Sequence, residues 1–259
     1  DASKPAPLVV MLHGCTQDPE DFARGSRFNQ AAADSGVIVA YPEQTSAQQV
    51  QKCWTWYDPA HQGRGGEPAI IAAITREVMA KHAVDPARVY VGGVSAGGAM
   101  AVNVAASYPE LYAAAGAHSG TAYRAAGNVM QALQVMKQGP AGIQPSVAAL
   151  RSAMGEGARV PPLIVFHGKA DAVVGVANGE ILAEQWAGAL GHTEGAAYAP
   201  PLDPYAVTRT LWGNDVESWI VADLGHAWSG GSPEGTFTDP RGPDATREML
   251  RFFLAHRKP

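Results

Sequence analysis

The sequence predicts a three-layer α/β sandwich with a mostly parallel central sheet, on three observations. Short uninterrupted apolar runs at residues 8–12, 37–41, 89–91 and 163–166 read as strands buried on both faces, the habit of parallel sheets. Segments of helical spacing separate these runs, so strands and helices alternate along the chain. The pentapeptide Gly93-Val94-Ser95-Ala96-Gly97 joins one strand to a helix of small residues through a sharp turn.

Taken in order, residues 1–7 are polar and proline-rich, and Leu8-Val9-Val10-Met11-Leu12 is a buried strand ending in His13-Gly14-Cys15-Thr16. Residues 18–35 carry Phe22, Phe28 and Ala32 at helical spacing and stop at Gly36, a helix-ending glycine. The strand at 37–41 is halted by Pro42, and residues 43–66 form a loop longer and more aromatic than a connector needs. Residues 67–82 are expected to be a helix with Ile70, Ile71, Ile74 and Val78 on one face. Asp85-Pro86 opens the run into Val89-Tyr90-Val91, and 98–106 form the small-residue helix behind Ser95. Residues 112–117 are a weaker strand, and 121–160 a small helical excursion broken at Gly139-Pro140 and Gly155. The strand at 163–166 leads to a helix at 177–190. Strands at 207–212 and 217–222 flank a tight turn at Gly213-Asn214, and a helix at 244–256 closes the chain.

At 259 residues and 46% hydrophobic, the chain suffices for one large domain, and no composition break divides it. A net charge of −5 with scattered Lys and Arg excludes the basic stripe of a nucleic-acid binder. No apolar run approaches the roughly 18–20 residues that span a bilayer, so no membrane partner is expected. No signal peptide is visible, and the chain opens at Asp1 without a methionine, as a processed or trimmed form would. The two cysteines, Cys15 and Cys53, are either buried thiols or one disulfide. A disulfide would tie down the aromatic loop that Cys53 opens and would imply an oxidising compartment.

Ligands of open α/β sheets bind beyond the C-terminal ends of the strands, so the residues just after each apolar run are the candidates. Ser95 follows one run, Asp171 another and His226 a third, inside Leu224-Gly225-His226-Ala227-Trp228-Ser229-Gly230-Gly231. The order Ser, Asp, His is that of an α/β hydrolase. A serine hydroxyl needs an imidazole to take its proton and a carboxylate to orient that imidazole. Asp223 competes with Asp171 as the acid, while His13, His118 and His167 also follow strands. Ala96 N–H and an N–H of Cys15 or Thr16 are candidate oxyanion donors. Trp54, Trp56, Tyr57 and Trp228 are expected to line an apolar substrate pocket. No metal or cofactor is called for, because such a triad generates its own nucleophile.

With Leu12-His13-Gly14-Cys15-Thr16-Gln17, Tyr41-Pro42-Glu43-Gln44, Cys53-Trp54-Thr55-Trp56, the serine pentapeptide and Gly225-His226-Ala227-Trp228-Ser229-Gly230-Gly231 in order, the chain resembles the polyhydroxybutyrate depolymerase-like esterases of the α/β-hydrolase superfamily. The resemblance covers nearly the whole chain. It implies a triad of Ser95, Asp171 and His226, an oxyanion hole from Cys15 and Ala96, and a Cys15–Cys53 disulfide. It implies secretion or a periplasmic location, with a polyester, oligoester or small ester as substrate and little or no lid. Feruloyl and acetylxylan esterases border the same family and supply the alternative substrate class. A silent binding module on the same fold is the competing class, and the full triad set counts against it. The superfamily usually places antiparallel strands ahead of the strand at 8–12, where this chain has only seven residues, so an N-terminal segment is expected to be missing.

Overall fold

Successive residues of a strand point to opposite faces, and the central strands of this protein use both faces for core. The computed structural model describes residues 5–140, 146–201 and 204–259. In β1 (Ala6–Leu12), Leu8, Val10 and Leu12 enter one core while Val9 and Met11 enter the other. All five are fully buried, which is why the run shows no polar alternation.

After β1 come α1 (Pro19–Ser26), α2 (Phe28–Ser35) and β2 (Ile38–Ala40). α3 (Gly66–Lys81), β3 (Val84–Val94), α4 (Ala96–Ser107) and β4 (Ala114–His118) build the centre. α5 (Val129–Gln138) and α6 (Val147–Met154) precede β5 (Leu163–Gly168) and α7 (Ala177–Ala189). The chain then runs through β6 (Ala196–Tyr198), β7 (Val207–Trp212), β8 (Val216–Val221), β9 (Trp228–Ser229), β10 (Thr238–Asp239) and α8 (Ala245–Ala255).

The main sheet has the order β2-β1-β3-β4-β5-β8-β7-β6, parallel from β2 to β8 and antiparallel at β7 and β6. β9 and β10 pair separately, as a short parallel ribbon. α3, α4, α6 and α7 contribute to the core on one face, and α1, α2 and α8 to the core on the other, giving three layers. The chain order reverses between β1 and β3, so the switch-point crevice opens where His13–Thr16 and Ser95 leave the sheet.

Several elements differ from the sequence reading. The helix expected over 18–35 is two, because Arg27 takes a left-handed φ of 55° while its guanidinium donates to the Gly230 carbonyl at 2.6 Å. That partner lies 203 residues away, beyond any local signal. In α3, Ile70 is exposed; the buried face carries Pro68, Ile71, Ala72 and Thr75. The strand at 112–117 reads weakly because β4 contains only small residues before His118. A Cβ on Gly116 would meet Met249 of α8 at 2.8 Å, so bulk there is excluded. The excursion at 121–160 contains α5 and α6, with residues 141–145 outside the described set. The ribbon β9–β10 and the edge strand β6 have no counterpart in the sequence reading, being too short to show a period.

Candidate active site

Ser95 stands at φ 56°, ψ −123°, between the last residue of β3 and the first of α4. The turn is tight enough that a Cβ on Gly93 would lie 2.5 Å from the Gly97 carbonyl oxygen and 2.6 Å from that of Leu12. A Cβ on Gly97 would collide with the Leu12 and His13 carbonyls. Only glycine at both positions lets β3, α4 and β1 pass, and the serine is left raised at the switch point.

The Ser95 hydroxyl is 2.9 Å from His226 Nε2, and His226 Nδ1 is 2.8 Å from Asp171 Oδ2. The other Asp171 oxygen accepts from Val173 and Val174 N–H, at 2.9 and 2.8 Å. Burial pushes the Asp171 carboxyl up, but the bond and charge of His226, with the Val174 N–H, outweigh it and hold the group below the usual carboxylate range. Asp171 is thus an anion aimed at the imidazole. The histidine loop can reach it because residue 168 is glycine: a Cβ there would run into the Leu224 carbonyl.

The other candidates are differently engaged. Asp223 is exposed and makes no hydrogen bond to His226. His13 accepts from Gln44 N–H at 3.0 Å through Nε2 and donates from Nδ1 to the Gly14 carbonyl at 2.8 Å. His167 donates from Nε2 to the Val174 carbonyl at 2.7 Å, with its Nδ1 unpartnered. His118 accepts from Ser229 N–H at 3.1 Å and stacks on Phe166 and Trp228. Burial drives all three imidazoles toward the neutral form, His118 down to about 3. Each is a neutral bonding block for backbone rather than a proton carrier.

Cys15 and Ala96, the candidate oxyanion donors, line the same cavity as Ser95. Ala96 opens α4 ahead of the first intrahelical bond, Ala99 N–H to the Ser95 carbonyl at 3.0 Å. Cys15 N–H has no acceptor among the described residues, whereas Thr16 N–H donates to the Gln51 carbonyl at 2.6 Å. The structure therefore separates the two loop candidates: Thr16 is spent and Cys15 is free. Cys15 is also disulfide-bonded to Cys53, 38 residues on. Trp54 Nε1 donates to the His13 carbonyl at 3.0 Å, a second tie between the aromatic loop and this turn.

These groups open onto a cavity of about 380 Å³. Trp54, Trp56 and Tyr57 line it. Trp228 does not: it is 1% exposed, stacks on His118, meets Phe22 edge-on, and donates from Nε1 to Thr246 at 2.9 Å. It is core because β9 turns it away from the crevice, and the glycine-rich sequence around it carries no sign of that pairing. Val129, Leu133 and Met136 of α5, with Val173 and Phe237, complete the apolar wall and are not among the residues expected there from the sequence. The α5 residues were findable as apolar positions on a short helix set apart from the sheet. Val173 and Phe237 had no such signal. A second depression, of about 830 Å³, lies on the surface between Arg64, Glu110, Arg159 and Lys258 and holds none of the triad.

A Ser–His–Asp chain on an elbow at the switch point of a mostly parallel sheet marks the α/β-hydrolase class. More particularly, the chain belongs to the esterase PHB depolymerase family, whose model matches residues 1–199. It is 31% identical over 248 residues to poly(3-hydroxyalkanoate) depolymerase C of Paucimonas lemoignei, covering 91% of this chain and 56% of that protein. It thus spans little more than half of that relative's length. It is 30% identical over 263 residues to feruloyl esterase B of Neurospora crassa, covering 97% of this chain and 84% of the other. Among solved structures, an acetyl xylan esterase from Aspergillus awamori matches with a TM-score of 0.78 over 98% of this chain and 90% of that one. At 24% identity, that match is a likeness of fold.

Proposed function

We propose that residues 1–259 form one catalytic domain, a serine carboxylic-ester hydrolase that cleaves polyester or oligoester bonds of the poly(3-hydroxyalkanoate) type. The observation that carries the reading is Ser95 Oγ, 2.9 Å from His226 Nε2, in a cavity that Ala96 and Cys15 also line. Ser95 Oγ attacks the ester carbonyl carbon as its proton passes to His226 Nε2, and Asp171 stabilises the imidazolium. Ala96 and Cys15 N–H take the oxyanion, His226 returns the proton to the leaving alcohol, and water then releases the acid by the same steps.

The cavity wall supports a neutral, apolar substrate, since none of its described residues is Asp, Glu, Lys or Arg. An exposed apolar collar supports a polymeric one. Val129, Met130 and Leu133 on α5, with Val173, Phe237 and Val50, are all at least 45% exposed at or beside the mouth. Six such residues in one place exceed the scattered exposure of an ordinary surface and suit an ester surface too large to enter. The wall of Trp54, Trp56 and Tyr57 favours a second reading, in which an aromatic acyl group such as ferulate stacks there. The Cys15–Cys53 bond supports an oxidising compartment, secreted or periplasmic.

The test is initial-rate hydrolysis of 3-hydroxybutyrate oligomers, polyhydroxybutyrate film and methyl ferulate side by side, with Ser95→Ala as blank. Ser95-dependent release of hydroxybutyrate units with little ferulate turnover is the expected result. Preference for ferulate would shift the substrate class and leave the mechanism. No turnover of any ester, with no labelling of Ser95 by a fluorophosphonate, would overturn the enzyme reading.

A further inference from the structure

We propose that Gln17 is a positioning residue that sets the distance between the oxyanion donor of Cys15 and the His226 loop, an inference that rests on the ester-hydrolase reading above. Gln17 is 4% exposed and has its amide divided between two segments of the site. Its Oε1 accepts from Gly14 N–H at 2.9 Å, the peptide just ahead of Cys15. Its Nε2 donates to Asp21 Oδ2 at 3.0 Å, and to the carbonyl and hydroxyl of Thr236 at 3.2 and 3.3 Å.

Asp21 closes the far side of this bridge. Its two oxygens accept from Thr236 N–H at 3.0 Å and from the Thr236 hydroxyl at 2.5 Å. The carboxylate suits three donors as an anion, since these bonds outweigh its burial and hold it below the usual carboxylate range. Thr236 leads directly into Phe237, whose ring meets His226 edge-on at 6.5 Å and whose carbonyl accepts Trp228 N–H at 2.7 Å. One buried amide therefore joins the turn after β1, the first turn of α1 and the segment following His226, across 219 residues of sequence.

The chemistry demands an amide. Gly14 N–H can only donate and a carboxylate Asp21 can only accept, so the bridging group must carry an acceptor on one side and two donors on the other. Methionine has the length but leaves Gly14 N–H without its acceptor and removes one of the three donors to Asp21. Without the bridge, the turn holding Cys15 keeps its disulfide and the Trp54 tie but loses its register with the histidine loop. Donors aimed at a developing oxyanion act only when correctly placed, so the loss falls on the transition state rather than on substrate binding.

The experiment compares wild type, Gln17→Met and Thr236→Val on p-nitrophenyl acetate, with inhibition by phenylboronic acid. The boronate adds Ser95 Oγ to boron and mimics the tetrahedral anion. For Gln17→Met, kcat is expected to fall about 10- to 100-fold with KM within about twofold. The boronate inhibition constant should rise by the same factor. Thr236→Val, which removes one hydroxyl from the far end, should show the same pattern at several-fold size and decides the matter if Gln17→Met does not fold. A folded variant with unchanged kcat, or one whose KM rises while boronate affinity holds, would overturn the bridge. A wild type that neither turns over the ester nor reacts with fluorophosphonate would instead overturn the hydrolase reading itself.

Discussion

Asp171 and His226 are joined by one carboxylate oxygen, while the other oxygen of Asp171 is bound by Val173 and Val174 N–H. The two backbone donors fix which oxygen faces the imidazole. An asparagine at 171 must keep its carbonyl on those donors and turn its NH2 toward His226 Nδ1. That forces the histidine proton onto Nε2, the atom that should accept from Ser95. Asp171→Asn is therefore expected to fold normally and lose about 10³- to 10⁴-fold in kcat. A melting curve beside p-nitrophenyl ester kinetics tests it, and an active Asp171→Asn would remove Asp171 from the proposed triad.

The Ser95 backbone predicts a gain in stability from a functional loss. At φ 56°, ψ −123°, a serine occupies a region that glycine tolerates, at a cost on the order of 1–3 kcal/mol. Ser95→Gly relieves that cost, less about 0.5–1 kcal/mol for the added freedom of the unfolded chain. Unfolding free energies from denaturant titration should place Ser95→Gly about 1 kcal/mol above Ser95→Ala, with both inactive. Equal stabilities would limit the strain stored in the elbow to the roughly 0.5–1 kcal/mol that glycine's added freedom offsets, and a less stable Ser95→Gly would mean that it stores none.

Stability should decline in mild acid. Folded His118 takes a proton only near pH 3, whereas the unfolded histidine takes one near 6.5. Between those values the unfolded chain holds one more proton. The neutral histidine's contribution is thus complete above pH 6.5 and falls by about 1.4 kcal/mol per pH unit below it. His13 and His167, lowered by burial, act in the same direction. From pH 6.5 to 5 the His118 share is about 2 kcal/mol. Unfolding free energies of wild type and His118→Gln at pH 7, 6 and 5 should show a shallower slope in the variant. Parallel slopes would show that His118 is not the group responsible.

The collar can be separated from the chemistry. Met130 is 73% exposed and Val50 88%, and neither lines the cavity. Met130→Glu with Val50→Glu should weaken binding to polyhydroxybutyrate film and slow its erosion, while p-nitrophenyl acetate kinetics stay within about twofold because surface substitutions cost little. Film binding equal to wild type would assign the exposed apolar residues no part in polymer capture.

Much of this was legible in the sequence where local physics forces the outcome. Parallel strands buried on both faces must be apolar without interruption, so β1 and β5 could be read directly. A serine forced to positive φ needs glycines two residues either side, so the elbow could be read as well. The break at Arg27 and the burial of Trp228 were not legible. Each depends on a partner more than 50 residues away or on a two-residue strand.

The layer architecture, the nucleophile's elbow and the order of the three triad candidates follow from periodicity, sterics and position at strand ends, all of which are written in the amino-acid sequence. That Thr16 N–H is occupied while Cys15 N–H has no acceptor among the described residues, that three histidines are neutral structural blocks, and that Gln17 spans two loops is set by contacts distant in sequence. Hydrogen-bond donors and acceptors are satisfied by whatever folding brings within about 3 Å, and sequence distance carries no record of that.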